Sequence, residues 1–264
     1  MEKDQIIQVG GDLDSALKGQ YRISPKAVLK EAWQKTQNTR KPINLGLVFI
    51  AVLGMMVSLG ASQYFGGIEK IWEDQNHDAL NLINLLVNIV IWPFLAGIEM
   101  MGVLHAVGLK TQPKLIFAFL KRANWVILCA LISSILVSIG FQLLVVPGIY
   151  LLVALSLSIP LVVEKQISPL KAIILSIKAL RFQWFNIFAI YFFLSMILVV
   201  ALVPVISMMN SSLFIVAFVI FLFLLSYLAP CYYNVKGILY REIFGMRLQA
   251  TAKEQVVSDD IFNA

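Results

Sequence analysis

Apolar residues along this chain come in long uninterrupted blocks. No charged residue lies between Ile43 and Ile68, between Ala123 and Val163, or between Phe182 and Val235. A helix needs about 20 apolar residues to cross a hydrocarbon core, so the blocks have the length of membrane spans, and two of them are long enough for a pair. The pattern predicts helices at roughly 43–65, 79–106, 124–146, 148–163, 184–207 and 211–235. The block that starts at Ala123 is expected to break at Val146-Pro147-Gly148, because proline lacks a donor and clashes with the preceding turn. The last block is expected to break at Met208-Met209-Asn210-Ser211-Ser212. The expected fold class is all-α integral membrane, with about six transmembrane helices as three hairpins and interfacial amphipathic helices on the cytoplasmic side. The chain divides into a cytoplasmic segment 1–42 with an amphipathic helix near 24–39, a six-helix domain 43–240, and a cytoplasmic tail 241–264.

Composition supports the membrane reading. Of 264 residues, 59% are hydrophobic and 14% charged, with a mean hydropathy of +0.83. A soluble domain carries about a quarter charged residues. The net charge of +6 would suggest nucleic acid in a soluble protein, but here topology accounts for it. Twenty of the 21 Lys and Arg residues fall on one side of the predicted spans, with Lys236, Arg241, Arg247 and Lys253 assigned to the tail. The other side holds Lys70 among Glu69, Glu73, Asp74 and Asp78. The positive-inside rule makes the basic side cytoplasmic and puts both termini there. Some 42 largely polar residues precede the first span, so the first helix is expected to stay rather than be cleaved as a signal peptide. Gly10-Gly11 and scattered charges between Met1 and Ile23 suggest a mobile lead-in.

Three basic segments on the cytoplasmic side look alike. They open at Ser24-Pro25-Lys26, Gln112-Pro113-Lys114 and Ser168-Pro169-Leu170-Lys171. Serine suits an N-cap and proline the first helical position. In the third, Leu170, Ile173, Ile174, Ile177 and Leu180 form an expected apolar face, with Lys171, Lys178 and Arg181 grouped opposite. A basic helix of this kind lies in the membrane interface and faces lipid or a partner. Trp33, Trp125 and Trp184 fit interfacial anchors. The chain thus divides into three units of interfacial helix plus hairpin, which either repeat or arise because hairpins insert easily.

Polar residues inside a span are costly and mark the first place to look for function. Asn81, Asn84, Asn88 and Glu99 fall within a sector of about 60° on the second helix, at about 100° per residue. They either line a solute path or act as packing glue, with Glu99 near enough to the cytoplasmic end to be wet. Gly54, Ser58 and Ser62, and Ala130, Ser134, Ser138 and Gln142, recur at four-residue spacing and suit close helix packing. Neither Cys129 nor Cys231 has a CxxC neighbour, and His77 and His105 stand apart from any ligand cluster, so no metal, cofactor or disulfide is expected. No Walker loop, GxSxG, HExxH or paired acidic site in a span is present, and Glu99 and Glu164 have no evident partner of the kind a nucleophile, base or metal site would need, which argues against an enzyme.

The stretch Val146-Pro147-Gly148-Ile149-Tyr150, then Ser158-Ile159-Pro160-Leu161-Val162-Val163-Glu164-Lys165, Ser168-Pro169-Leu170-Lys171-Ala172, Ser176, Trp184 and Phe188 resembles a bacterial membrane superfamily. It is similar to the YciC-like inner-membrane proteins and, more distantly, to the membrane domain attached to some glycerophosphodiester phosphodiesterases. Val28-Leu29-Lys30-Glu31-Ala32-Trp33 and Leu239-Tyr240-Arg241-Glu242 fit the same pattern. The resemblance implies a bacterial inner-membrane protein of about this topology that acts with something else. The phosphodiesterase catalytic domain has no counterpart here, so its activity does not carry over.

Two functions follow as expectations. The first is a non-enzymatic membrane component, a scaffold, anchor or subunit, working with a protein partner, a second copy or anionic lipid headgroups. The alternative is a transporter or channel for a small or lipid-like solute along the Asn81–Glu99 stripe. No nucleic-acid partner is expected.

Overall fold

In the computed structural model, residues 6–249 are described, and the account below concerns them. The chain runs β1 (Ile6–Val9), α1 (Leu13–Lys18), α2 (Pro25–Tyr64), α3 (Ile68–Glu73), α4 (His77–Ala106), α5 (Ala123–Leu143), α6 (Val145–Ala154), α7 (Ser158–Glu164), α8 (Pro169–Leu180), α9 (Trp184–Ser207), α10 (Phe214–Phe244) and β2 (Met246–Gln249). Six helical stretches are long and apolar enough to cross a membrane, which makes this an all-α integral membrane fold. α6 and α7 together form the fourth stretch.

The three basic segments take three different forms. The first is not a separate interfacial helix: α2 runs unbroken through Pro42 for 40 residues, about 60 Å, twice a hydrocarbon core. The second is two 3₁₀ turns, Pro113–Phe117 and Leu120–Arg122. Only the third, α8, is a distinct helix.

The third span reverses earlier than expected, at Leu144, which is extended (φ −163°, ψ 153°). Pro147 then sits in the first turn of α6, where a missing N–H leaves no bond unmade. Gly140 and Gly148 let the two helices touch, since a Cβ on Gly140 would lie 2.9 Å from the Gly148 Cα. The fourth span breaks between α6 and α7, where Pro160 cannot donate to the turn before it. Ser158 N–H turns to Leu155 O and leaves Ala154 O, which Ser176 Oγ of α8 takes at 2.6 Å, while Ser158 Oγ adds a second donor to Leu155 O at 2.8 Å. Within a bilayer such substitution is what permits a broken helix.

From Ile6 on, the N-terminal lead-in is folded back rather than free; residues 1–5 of it, and 250–264 of the expected tail, lie outside the described residues. β1 pairs antiparallel with β2, Ile6 opposite Gln249 and Val9 opposite Met246. Gly11 N–H donates to Arg241 O at 2.9 Å. A Cβ on Gly10, at φ +89°, would lie 2.1 Å from the same oxygen. These glycines therefore mark a close backbone approach, not a flexible joint. Asp12 caps α1 by accepting from Asp14 N, Ser15 N and Ser15 Oγ, bonds that hold its carboxyl below the usual carboxylate range. Tyr21 donates to Ala179 O at 2.7 Å, which fixes the segment on α8, and burial pushes its phenol up to about 12.

Packing is uneven along the bundle. Buried positions of α4 run almost unbroken from Ala96 to Ala106, and those of α10 from Pro230 to Phe244. They join α2, α7 and α8 in one core at the end where the basic segments lie. The opposite halves of α2, α9 and α10 turn large apolar side chains outward, among them Met55, Val200 and Phe223. A small separate cluster of Ile71, Ala79 and Ile83 seats α3 on α4 at that far end.

Candidate functional site

The closest approach in the core is between two glycines. A Cβ on Gly237 of α10 would lie 2.0 Å from Gly102 O of α4, and one on Gly102 would lie 2.1 Å from Tyr233 O. Only glycine permits this contact, which brings polar groups on both helices within reach of each other.

Beside it, Lys236 Nζ donates to Glu99 Oε1 at 2.6 Å, with both side chains buried. Glu99 is thus neither wet nor at an edge, and Lys236 is not part of the tail: α10 continues to Phe244. The second carboxylate oxygen, Glu99 Oε2, is buried without a hydrogen-bond partner, as are Ser133 Oγ, Ser156 Oγ and Tyr191 OH.

One turn toward the basic end, a chain of bonds fixes the state of His105. Thr36 Oγ1 donates to Ala32 O at 2.7 Å and therefore accepts from Asn234 Nδ2 at 2.9 Å. That orients Asn234 Oδ1 toward His105 Nδ1 at 3.0 Å, so the ring proton sits on Nδ1. Nε2 then accepts from Thr111 Oγ1 at 2.8 Å. Each polar atom has a role as donor or acceptor, and the histidine ties α2, α4 and α10 together.

Two further clasps follow along α10. Tyr240 OH donates to Glu164 Oε2 at 2.7 Å, and Lys165 Nζ lies 3.0 Å from the same oxygen. Arg241 donates in a fork to Glu31 at 2.6 and 2.9 Å, and also to Ala106 O at 2.7 Å and to Glu242. Glu164 thus has two partners, a phenol and an ammonium.

The predicted stripe does not form one environment. Asn81 and Asn84 are exposed, Asn88 donates to the Asn84 carbonyl of its own helix at 2.8 Å, and Glu99 lies apart in the core. The basic residues of α8 are placed together: Lys171, Lys178 and Arg181 are all exposed. They do not oppose a single apolar face, however. The buried side of α8 is Ala172, Ile173, Leu175, Ser176, Ala179 and Leu180, while Leu170 and Ile174 are exposed beside the cations. Among the described residues no group of three or more His, Cys, Asp and Glu side chains gathers as a metal site would.

The sequence reading missed Lys236, Asn234, Tyr240 and Arg241 as site residues. A visible signal was the apolar pattern continuing past Lys236 through Ile238, Leu239 and Ile243, which a tail would not show. Searches against protein-family models, curated proteins and solved structures found no match.

Proposed function

We propose that this chain is a non-enzymatic component of the bacterial cytoplasmic membrane, with both ends cytoplasmic, acting as a scaffold, anchor or subunit with membrane lipid or a protein partner. The observation that carries this reading is the locked α4–α10 crossing. Two backbones touch at Gly102 and Gly237, and the one acidic side chain deep in that crossing is engaged by Lys236. A bundle stapled at its core in this way suits a rigid platform. What it presents is α8, with Lys171, Lys178 and Arg181 exposed next to Leu170 and Ile174, the composition of a surface that meets anionic headgroups. The resemblance to inner-membrane proteins of about this topology, most of unassigned function, is in keeping with the same reading.

The test is purification from the native membrane into nanodiscs, with mass spectrometry of co-purifying proteins and lipids, for wild type and for the triple variant Lys171→Glu, Lys178→Glu, Arg181→Glu. The expected result is a bound partner or anionic lipid that the triple variant loses. Unchanged association would refute the role given to α8.

One observation favours transport as a second reading: Glu99 Oε2 is a carboxylate oxygen buried without a hydrogen-bond partner. On that reading Glu99→Gln and Asn88→Leu abolish solute or lipid flux in liposomes while the protein stays folded. Absence of flux in the wild type removes it.

A further inference from the structure

A groove of about 840 Å³ lies between the basic-end half of α2 and the middle stretches of α9 and α10. Its two ends differ in chemistry. Trp33, Gln37 and Arg40 of α2 line one end, spaced to share a helix face. There the Arg40 guanidinium lies 3.9 Å over the ring of Tyr227, which also stacks on Trp33 at 6.0 Å and meets Phe223 edge-on at 5.4 Å. Toward the other end the walls are apolar, with Phe193, Ile197, Ala201, Phe221 and Leu224. Phe193, Ile197, Ala201 and Leu224 also line a second groove of about 560 Å³, between α9 and α10 alone, that reaches Met208 and Leu213.

We propose that this groove binds one anionic phospholipid of the leaflet on the basic side, its phosphate at Arg40 and an acyl chain along α9 and α10. Charge supports this occupant. Among the described residues no carboxylate pairs with Arg40, although Arg241 and Lys236 each have one. Its position is fixed by the Tyr227 face rather than by a counter-ion, so the cation is presented at a set depth with its donors available.

Depth supports it too. Arg40 lies two residues before the uncharged stretch of α2 begins at Pro42, where headgroups meet hydrocarbon. Below Tyr227 the lining of α10 continues to Phe221, a rise of about 9 Å along the path of an acyl chain within one leaflet. The walls argue against a partner helix as occupant. Tight helix contacts use small residues, as at Gly102 and Gly237, whereas this groove is lined by Phe, Leu and Ile. Asn44, which would otherwise offer a polar group below Arg40, donates to Ser226 O at 2.8 Å.

The inference deepens the lipid-associated reading above, and its test separates the two. Wild type, Arg40→Gln and Ala201→Trp are reconstituted in nanodiscs of equal phosphatidylglycerol and phosphatidylcholine, extracted in mild detergent and analysed by native mass spectrometry. Wild type should retain one phosphatidylglycerol in preference to phosphatidylcholine. Arg40→Gln should lower that retention about fivefold, the effect of one interfacial charge. Ala201→Trp should lower it by filling the apolar wall with Arg40 intact, and the α8 triple variant should keep this one tightly held lipid even where it sheds the partner or lipid that meets α8. Equal retention in Arg40→Gln overturns the site, as does equal retention of phosphatidylcholine. A second copy or partner peptide crosslinked through Ala201→Cys in place of lipid also overturns it. Loss of retention in the α8 variant alone would move lipid binding to α8, leaving the broader reading in place and this groove refuted.

Discussion

The buried pair of Glu99 and Lys236 makes a prediction whose size follows from physics. With charge centres about 4 Å apart and an effective dielectric near 20, the gross attraction is about 4 kcal/mol. Removing both charges from water offsets much of this, so the intact pair adds little net stability. Removing one partner is different. Lys236→Met leaves a carboxylate buried without its counter-charge, and protonating an ordinary glutamate at pH 7 costs about 3.7 kcal/mol. Both routes agree with the 3–5 kcal/mol typical of a broken buried pair. Glu99→Gln strands the ammonium and should cost a similar amount. The double variant Glu99→Leu, Lys236→Met removes both charges and should return to within about 1 kcal/mol of wild type. Apparent Tm in nanodiscs is the assay, and at about 2–4 °C per kcal/mol each single variant should fall by roughly 10 °C. Singles that melt like wild type would refute the reasoning. So would a double variant as unstable as its worse parent, since the loss would then lie in packing rather than charge.

Other elements give smaller tests. Gly237→Ala should destabilise by about 3 kcal/mol or more, because its Cβ meets backbone, whereas Gly60→Ala, with nothing within 4 Å, should be neutral or stabilising; thermal melts of both report the contrast. Ser176→Ala strips the bond to Ala154 O at the α6–α7 break and should cost about 1–3 kcal/mol in the same assay. Gly11→Val should undock the N-terminal segment, since a Cβ there would lie 2.5 Å from Glu242 O; faster proteolysis between Gly11 and Ile23, with the bundle intact, is the readout. The Asp12 cap has a depressed pKa, so its contribution is fully present above the ordinary Asp range and is lost as pH falls through the lower folded value. Protection of the segment in hydrogen exchange should therefore weaken in acid, and Asp12→Asn should flatten that dependence.

The spans were legible because the bilayer constrains one property, uncharged length, that sequence shows directly. Helix ends were less so. Pro147 looked like a breaker, but a first-turn position hides its missing donor, and the reversal falls at Leu144 instead. Gly10-Gly11 suggested a mobile lead-in because a glycine needed for close approach and one needed for freedom are the same letter. The site was legible only in part. Glu99 stood out as an intramembrane acid, but its partner lies 137 positions away on a helix whose end was taken for a tail. Counting Lys236 as a topological charge followed from a rule that weighs charges by their place along the chain. Burial by a neighbouring helix is a tertiary fact, and the Gly102–Gly237 approach that creates it involves two residues with no side chain to form a pattern.

The same asymmetry relates stability to lipid. Helices in a bilayer gain little hydrophobic energy from each other, so close association depends on small residues and satisfied polar groups. This chain concentrates both at one end: Gly102 with Gly237, Thr36 with Asn234 and His105, Glu31 with Arg241, Glu164 with Tyr240. The opposite halves of α2, α9 and α10 have fewer such contacts and spread outward, with lipid-facing Phe, Ile and Val. The grooves along α9 and α10, one of them reaching Trp33, Gln37 and Arg40 of α2, lie beside these stapled contacts rather than through them. Substitutions in the groove, such as Ala201→Trp, should therefore change what the protein binds far more than whether it folds, while Gly237→Ala at the stapled end should do the reverse. Measuring lipid retention and apparent Tm for both variants checks this division, and a groove variant that unfolds the bundle while Gly237→Ala keeps its Tm would contradict it.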